Sequence, residues 1–238
     1  MDSYSEILNT IYYLRGGMID LRLDRMNRAL ALFNHPEKQF PSFHIAGTNG
    51  KGSTAAMLHR ILSVSGYRVA LYTSPHLVSF TERIRVGDEE IVPDEVVALA
   101  EEIRDRTVAA DVPLTFFEFV TVMAFIHFAR RRIDVALVEV GLGGRLDATN
   151  LVLPLVSLIS TISRDHEAYL GYDLLSIARE KGGIIKQGVP LVCGALPADV
   201  AALLKDIADE HNAHSYFLGG DFTFSLKNED LFDYRGQV

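Results

Sequence analysis

The chain has 238 residues, 48% of them hydrophobic and 23% charged, with a formal net charge of −8 at pH 7. This is ordinary globular composition, long enough to bury a core without staples, and it excludes a disordered or low-complexity chain. The acidic balance lacks the basic face that duplex recognition needs, so nucleic acid is not an expected partner, and a single cysteine, Cys193, excludes an internal disulfide and suits a reducing, cytoplasmic setting.

Residues 1–10 carry acids and no apolar core, so no secretory signal is read there. Helical patterns are expected at 5–14 and 22–33, then a strand at 42–46, a helix at 53–65 and a strand at 68–72. Helices are expected at 94–108, behind Pro93, and at 115–131. The apolar stretch 112–129 approaches the length of a membrane span. It contains Glu118 and His127 and runs into Arg130, Arg131 and Arg132, which favours a buried helix over a membrane segment. Strands at 134–140 and 155–160, a helix at 173–180, a strand at 189–193, a helix at 198–210 behind Pro197 and a strand at 214–218 complete the alternation. The pattern predicts an α/β fold, a mostly parallel sheet with helices on both faces. The end differs: 222–226 and 231–234 alternate apolar with polar around Asn228-Glu229-Asp230 and predict a small β-hairpin.

Polar clusters follow four of the strands. They are Gly47-Thr48-Asn49-Gly50-Lys51-Gly52-Ser53-Thr54, then Thr73-Ser74-Pro75-His76, then Glu139 with 141–147, then Ser163-Arg164-Asp165-His166. In an open parallel sheet ligands bind beyond the carboxyl ends of the strands, so the clusters are expected on one rim. The first is a phosphate-loop candidate: its glycines let backbone N–H groups turn inward, the following helix adds its positive end, and Lys51 reaches outer phosphates. It departs from the common pattern in having Ile45 six before the lysine and Gly52 just after it. Such a turn also occurs as a plain strand–helix connection. Glu139 ends an apolar strand and needs a partner, either Mg²⁺ on a bound nucleotide or an arginine such as Arg145 or Arg164. His166 alone reads as a loop histidine, and Lys181 as a lysine favouring the negative end of its helix.

The segments 44–53, 72–77, 82–84, 116–119, 138–150, 165–166 and 177–186 together resemble the folylpolyglutamate/dihydrofolate synthase family, a branch of the Mur ligases. They carry Gly-Thr-Asn-Gly-Lys-Gly-Ser, Ser-Pro-His-Leu and Gly-Leu-Gly-Gly-Arg-Leu-Asp-Ala-Thr-Asn in the family's order. The resemblance implies an ATP-dependent ligase that joins L-glutamate to dihydropteroate or folates through an acyl phosphate, with two Mg²⁺ ions. It implies nucleotide contacts from Thr48, Asn49, Gly50, Lys51, Gly52, Ser53 and Thr54. It places Ser74 and Glu139 at one metal and His166 at a second, gives Glu139, His166 and a carbamylated Lys181 catalytic roles, and sets the pterin against Asp20, Leu21, Phe117, Glu118, Leu146, Asp147 and Ala148.

Arg22, Asp173 and Gly182 depart from residues frequent in that family without removing an implied ligand. Family members run longer, so residues 1–238 are expected to form an ATP-binding, Mur-ligase-like domain incomplete at its C-terminal end. The C-terminal glutamate-ligase domain would then be absent, and activity alone weak or nil. A monomer with no membrane partner is expected. The competing readings are a Mur ligase acting on a UDP-linked cell-wall precursor and a phosphate-loop regulatory module.

Overall fold

The computed structural model describes residues 3–14, 22–227 and 231–236. Two helices lead, α1 (Tyr4–Tyr13) and α2 (Leu23–Ala31), followed by β1 (Ser42–Ala46), α3 (Lys51–Val64) and β2 (Val69–Tyr72). Then come β3 (Ile84–Val86), β4 (Glu89–Glu90), α4 (Pro93–Ala109), α5 (Phe116–Arg131), β5 (Val135–Glu139) and β6 (Val156–Ile159). The chain continues through α6 (Glu167–Leu170), α7 (Leu174–Gly182), β7 (Leu191–Cys193), α8 (Ala198–Glu210), β8 (Ser215–Phe217), β9 (Thr223–Leu226) and β10 (Phe232–Arg235).

One eight-stranded sheet runs β4-β3-β2-β5-β1-β6-β7-β8. From β2 to β8 every neighbouring pair is parallel, and only β3 and β4 are antiparallel. All six strands expected from apolar runs are present. The β3–β4 hairpin was not expected: its strands are three and two residues long, too short for alternation to register. Short α6 escaped for the same reason.

The strands alternate between two unequal layers. On β2 and β5, Val69, Leu71, Val135 and Leu137 face the cluster that includes Ala55 of α3. Ala70, Tyr72, Ala136 and Val138 face the large cluster formed with α1, α2, α4 and α5. A further cluster packs β6 and β7 beneath α7 and α8, around Ile159, Leu191, Ile177 and Leu204. Helices therefore cover both faces, as expected, with α3 alone holding its side among the described residues.

The apolar 115–131 pattern is a buried soluble helix. Its Thr115 and Glu118 form a reciprocal N-terminal cap, and among the described residues no helix is long and apolar enough to cross a membrane. β9 and β10 pair antiparallel, Phe232 opposite Leu226. The Asn228-Glu229-Asp230 turn lies outside the described residues, as do Asp20 and Leu21 of the expected pterin contacts.

Candidate nucleotide and metal site

Order β2-β5-β1-β6 puts the polar clusters after these strands on one edge. Register makes this concrete: Ile45 of β1 lies level with Glu139 of β5, and Ala46 with Ile159 of β6. The phosphate-loop candidate therefore rises between the end of an acidic strand and the loop after β6.

That loop is fastened from β6's side. Thr48 N donates to Thr161 O at 2.7 Å, and Thr48 Oγ1 donates to Ser163 O at 3.0 Å. The Asn49 carbonyl accepts from Ser160 Oγ at 2.7 Å and from Thr161 Oγ1 at 3.1 Å. The hydroxyls of Ser160 and Thr161 share this fastening with the Ser163 backbone; the sequence reading named Ser163 but not these two hydroxyls directly after the strand, which are a usable signal. Gly47 sits at φ 146°, where a Cβ would stand 2.0 Å from Ser160 Oγ, so only glycine fits.

The helix starts two residues earlier than the sequence suggested. Lys51 and Gly52 belong to the first turn of α3, behind Gly50 at φ 82°. That first turn holds no acid, and no side chain caps it, so the positive end of a 14-residue helix and its free amides face the rim. Lys51 Nζ folds back onto Gly47 O and Thr48 O, both at 3.0 Å. Ser53 is exposed and Thr54 half-buried, its amide bonded to Gly50 O.

Glu139 is 4% exposed and accepts from Ser74 N at 3.1 Å. The arginines considered as partners do not take this role: Arg145 pairs with Glu180 at 2.9 Å. Burial pushes the Glu139 carboxyl upward, opposed by the Ser74 amide and the Lys51 charge. A Cβ on Gly52 would lie 3.5 Å from Glu139 Oε2. The glycine after the lysine thus leaves the carboxylate open toward the helix end. Among the described residues no three His, Cys, Asp or Glu side chains converge as a ready-made metal cage. One buried carboxylate beside a phosphate loop still fits Mg²⁺, which takes one or two carboxylates and completes its shell with phosphate oxygens and water.

Lys181, in the last turn of α7, is 4% exposed and donates to Gly47 O at 2.8 Å. It touches the same carbonyl as Lys51. Burial first, then the Lys51 charge, lower its pKa to about 8. His166 starts α6 at φ 49°, exposed at the rim, 3.6 Å from the Asp165 carboxylate.

Of the residues expected at the pterin, Phe117 lies half-buried with its ring against Gly141, where a Cβ would sit 2.3 Å away. Glu118 turns inward. It accepts from Arg25 Nε at 3.1 and 3.0 Å and from the Thr115 amide and hydroxyl, each at 2.8 Å. Asp147 is 3% exposed and takes Gly141 N at 3.0 Å, Leu142 N at 2.8 Å, Thr149 N at 3.0 Å and the Thr149 hydroxyl. Its carboxylate is engaged in holding its own loop. Leu146 is half-buried and Ala148 buried beside it.

The description "Mur ligase middle domain" matches residues 45–219. The chain is 40% identical over 196 residues to the dihydrofolate synthase/folylpolyglutamate synthase of Bacillus subtilis, covering 80% of this chain and 46% of that protein. A folylpolyglutamate synthase structure from Thermotoga maritima superposes with TM-score 0.90 at 40% identity, over 98% of this chain and 55% of that one. E. coli FolC in complex with DHPP and ADP superposes with TM-score 0.90 at 36% identity, over 99% and 56%. The chain spans about half the length of the curated relatives it matches. With the middle-domain match covering the phosphate loop, Glu139, His166 and Lys181 together, the chain belongs to the Mur ligase family.

Proposed function

We propose that this chain is the ATP-binding part of an amide ligase that adds L-glutamate to dihydropteroate or folates. The observation that carries the reading is the meeting of Lys51 and Lys181 on the Gly47 carbonyl, with Glu139 open toward Gly52. A cation, a second buried amine and a buried acid around one glycine turn suit a polyphosphate and its divalent ion. The names of the similar proteins supply the reaction class.

Bound ATP would contribute the terminal phosphoryl group that activates a substrate carboxylate as an acyl phosphate, with Mg²⁺ offsetting charge. The chain's own part is binding and positioning. Thr48 to Thr54 would cradle phosphates, Ser74 and Glu139 would hold one metal, and His166 is assigned to a second. Lys181 is suited to carbamylation: its neutral amine forms a bond to the carbon of CO₂, releases a proton to solvent, and becomes an anion able to support a metal. Phe117, Leu146 and Ala148 with Asp20 and Leu21 are assigned to the pterin side, Glu118 and Asp147 shaping it from within.

Residues 1–238 are read as one nucleotide-binding unit, with the glutamate-ligase part assigned to the length of the relatives outside the match, so turnover by this chain alone should be low. A monomeric, cytoplasmic protein completes the proposal; the buried, unpaired Cys193 suits that setting. Calorimetric titration with ADP, with and without Mg²⁺, tests the core of it. Saturable binding strengthened by Mg²⁺ is expected; no binding in either condition would overturn the assignment.

A further inference from the structure

His44 and Thr149 have no part in the site just described, yet both are buried, at 0% exposure, inside the polar interior beneath it. His44 Nε2 lies 2.8 Å from Thr149 Oγ1, and that hydroxyl donates to Asp147 Oδ1. Because the threonine proton points to the carboxylate, its oxygen accepts from His44 Nε2–H. The direction is therefore fixed: histidine to threonine to aspartate. Asp147 in turn gathers the amides of Gly141 and Leu142, just past Glu139.

The loop so held docks on the end of α7. Arg145 N donates to Glu180 O at 2.8 Å, and Asn150 Nδ2 donates to Gly183 O at 3.0 Å. Gly144 approaches so closely that a Cβ would stand 2.8 Å from the carbonyls of Glu180 and Lys181. Lys181 closes the circuit on Gly47, three residues beyond His44 on the same run of chain.

We propose that His44 and Thr149 are positioning residues for Lys181: acting through Asp147, they set where the 141–150 loop holds the end of α7 and so where the amine meets the phosphate loop. This rests on the reading of Lys181 as part of the nucleotide site. A loop held only by its own turns would let the helix end drift. A buried donor chain with two ends in different elements permits one arrangement.

The test is competitive acylation of lysines in the full chain, followed by mass spectrometry, in Thr149→Val, Thr149→Ser and a control, Val97→Ala, a buried apolar position of α4 outside the hydrogen-bond chain. Thr149→Val should raise Lys181 labelling several-fold, Thr149→Ser should return it toward the parent, and Val97→Ala should leave it unchanged. Unaltered Lys181 labelling in Thr149→Val overturns the proposal, as does an equal rise in Val97→Ala, which would signal general loosening. ADP affinity measured alongside should weaken in Thr149→Val and recover in Thr149→Ser. If the parent binds no ADP, the nucleotide reading fails, and the labelling still decides whether Thr149 positions Lys181.

Discussion

The Lys181 side chain donates to the Gly47 carbonyl at 2.8 Å across 134 positions of sequence, and Lys51 donates to the same oxygen at 3.0 Å. Burial and the neighbouring cation lower the Lys181 pKa from 10.5 to about 8. The unfolded chain then binds this proton more tightly than the folded one. The resulting destabilisation is complete below the folded value and is relieved as pH climbs from about 8 toward 10.5. Lys181 acylation should accordingly reach half its maximal rate near pH 8. A midpoint at the ordinary lysine value would show that the pocket does not perturb the amine.

Glu139→Gln keeps an acceptor for the Ser74 amide and removes a buried charge. Since burial raises the Glu139 pKa, its ionised form is disfavoured by folding above that raised value, and acid relieves the penalty. Without nucleotide the variant should unfold at a Tm equal to or above the parent's at neutral pH. The gain in ADP affinity on adding Mg²⁺ should fall by at least the about 10–100-fold typical of partners one shell out. Calorimetry with and without Mg²⁺ reads both arms; an undiminished Mg²⁺ effect would remove Glu139 from the metal site.

Glu118 is engaged twice, by Arg25 and by the cap of α5. Truncation leaves the guanidinium without this carboxylate and removes the half of the cap in which Glu118 accepts from the Thr115 amide, while the Thr115 hydroxyl still accepts from the amide of residue 118. Glu118→Ala should destabilise by about 3 kcal/mol in urea unfolding, in the range for breaking a buried ion pair. Glu118→Gln, which can still accept from Thr115, should cost less. Stability unchanged in Glu118→Ala would confine this residue to substrate contact.

Glu82 gathers the amides of Leu77, Val78 and Ser79 at 2.7, 2.8 and 2.6 Å. It thereby pins the loop that carries Ser74, although Leu77 and Val78 are each 91% exposed. Those amides lower the Glu82 pKa, so its support is present above the ordinary 4.5 and lost as pH falls through the lower folded value. In Glu82→Gln, hydrogen exchange at 77–79 should accelerate while β5 stays protected. Equal protection in parent and variant would count against the pinning role.

The sequence by itself determined the alternation of apolar runs and helices, the parallel core, and which strand ends bear polar clusters. It could do so because periodicity and glycine placement report local burial and local turns. Only the tertiary structure decided what the polar groups do. The resemblance assigns Glu118 and Asp147 to the pterin, whereas packing turns both carboxylates inward onto backbone amides and Glu118 also onto Arg25. Lys181 reads in the linear sequence as a helix-end charge, and its hydrogen bond to Gly47, 134 positions away, is visible only in the fold. The β3–β4 pair was too short to announce itself and exists because β2 offered an edge to pair with. Hydrogen bonds between residues more than a hundred positions apart leave no spacing signal; they depend on which elements the chain brings side by side.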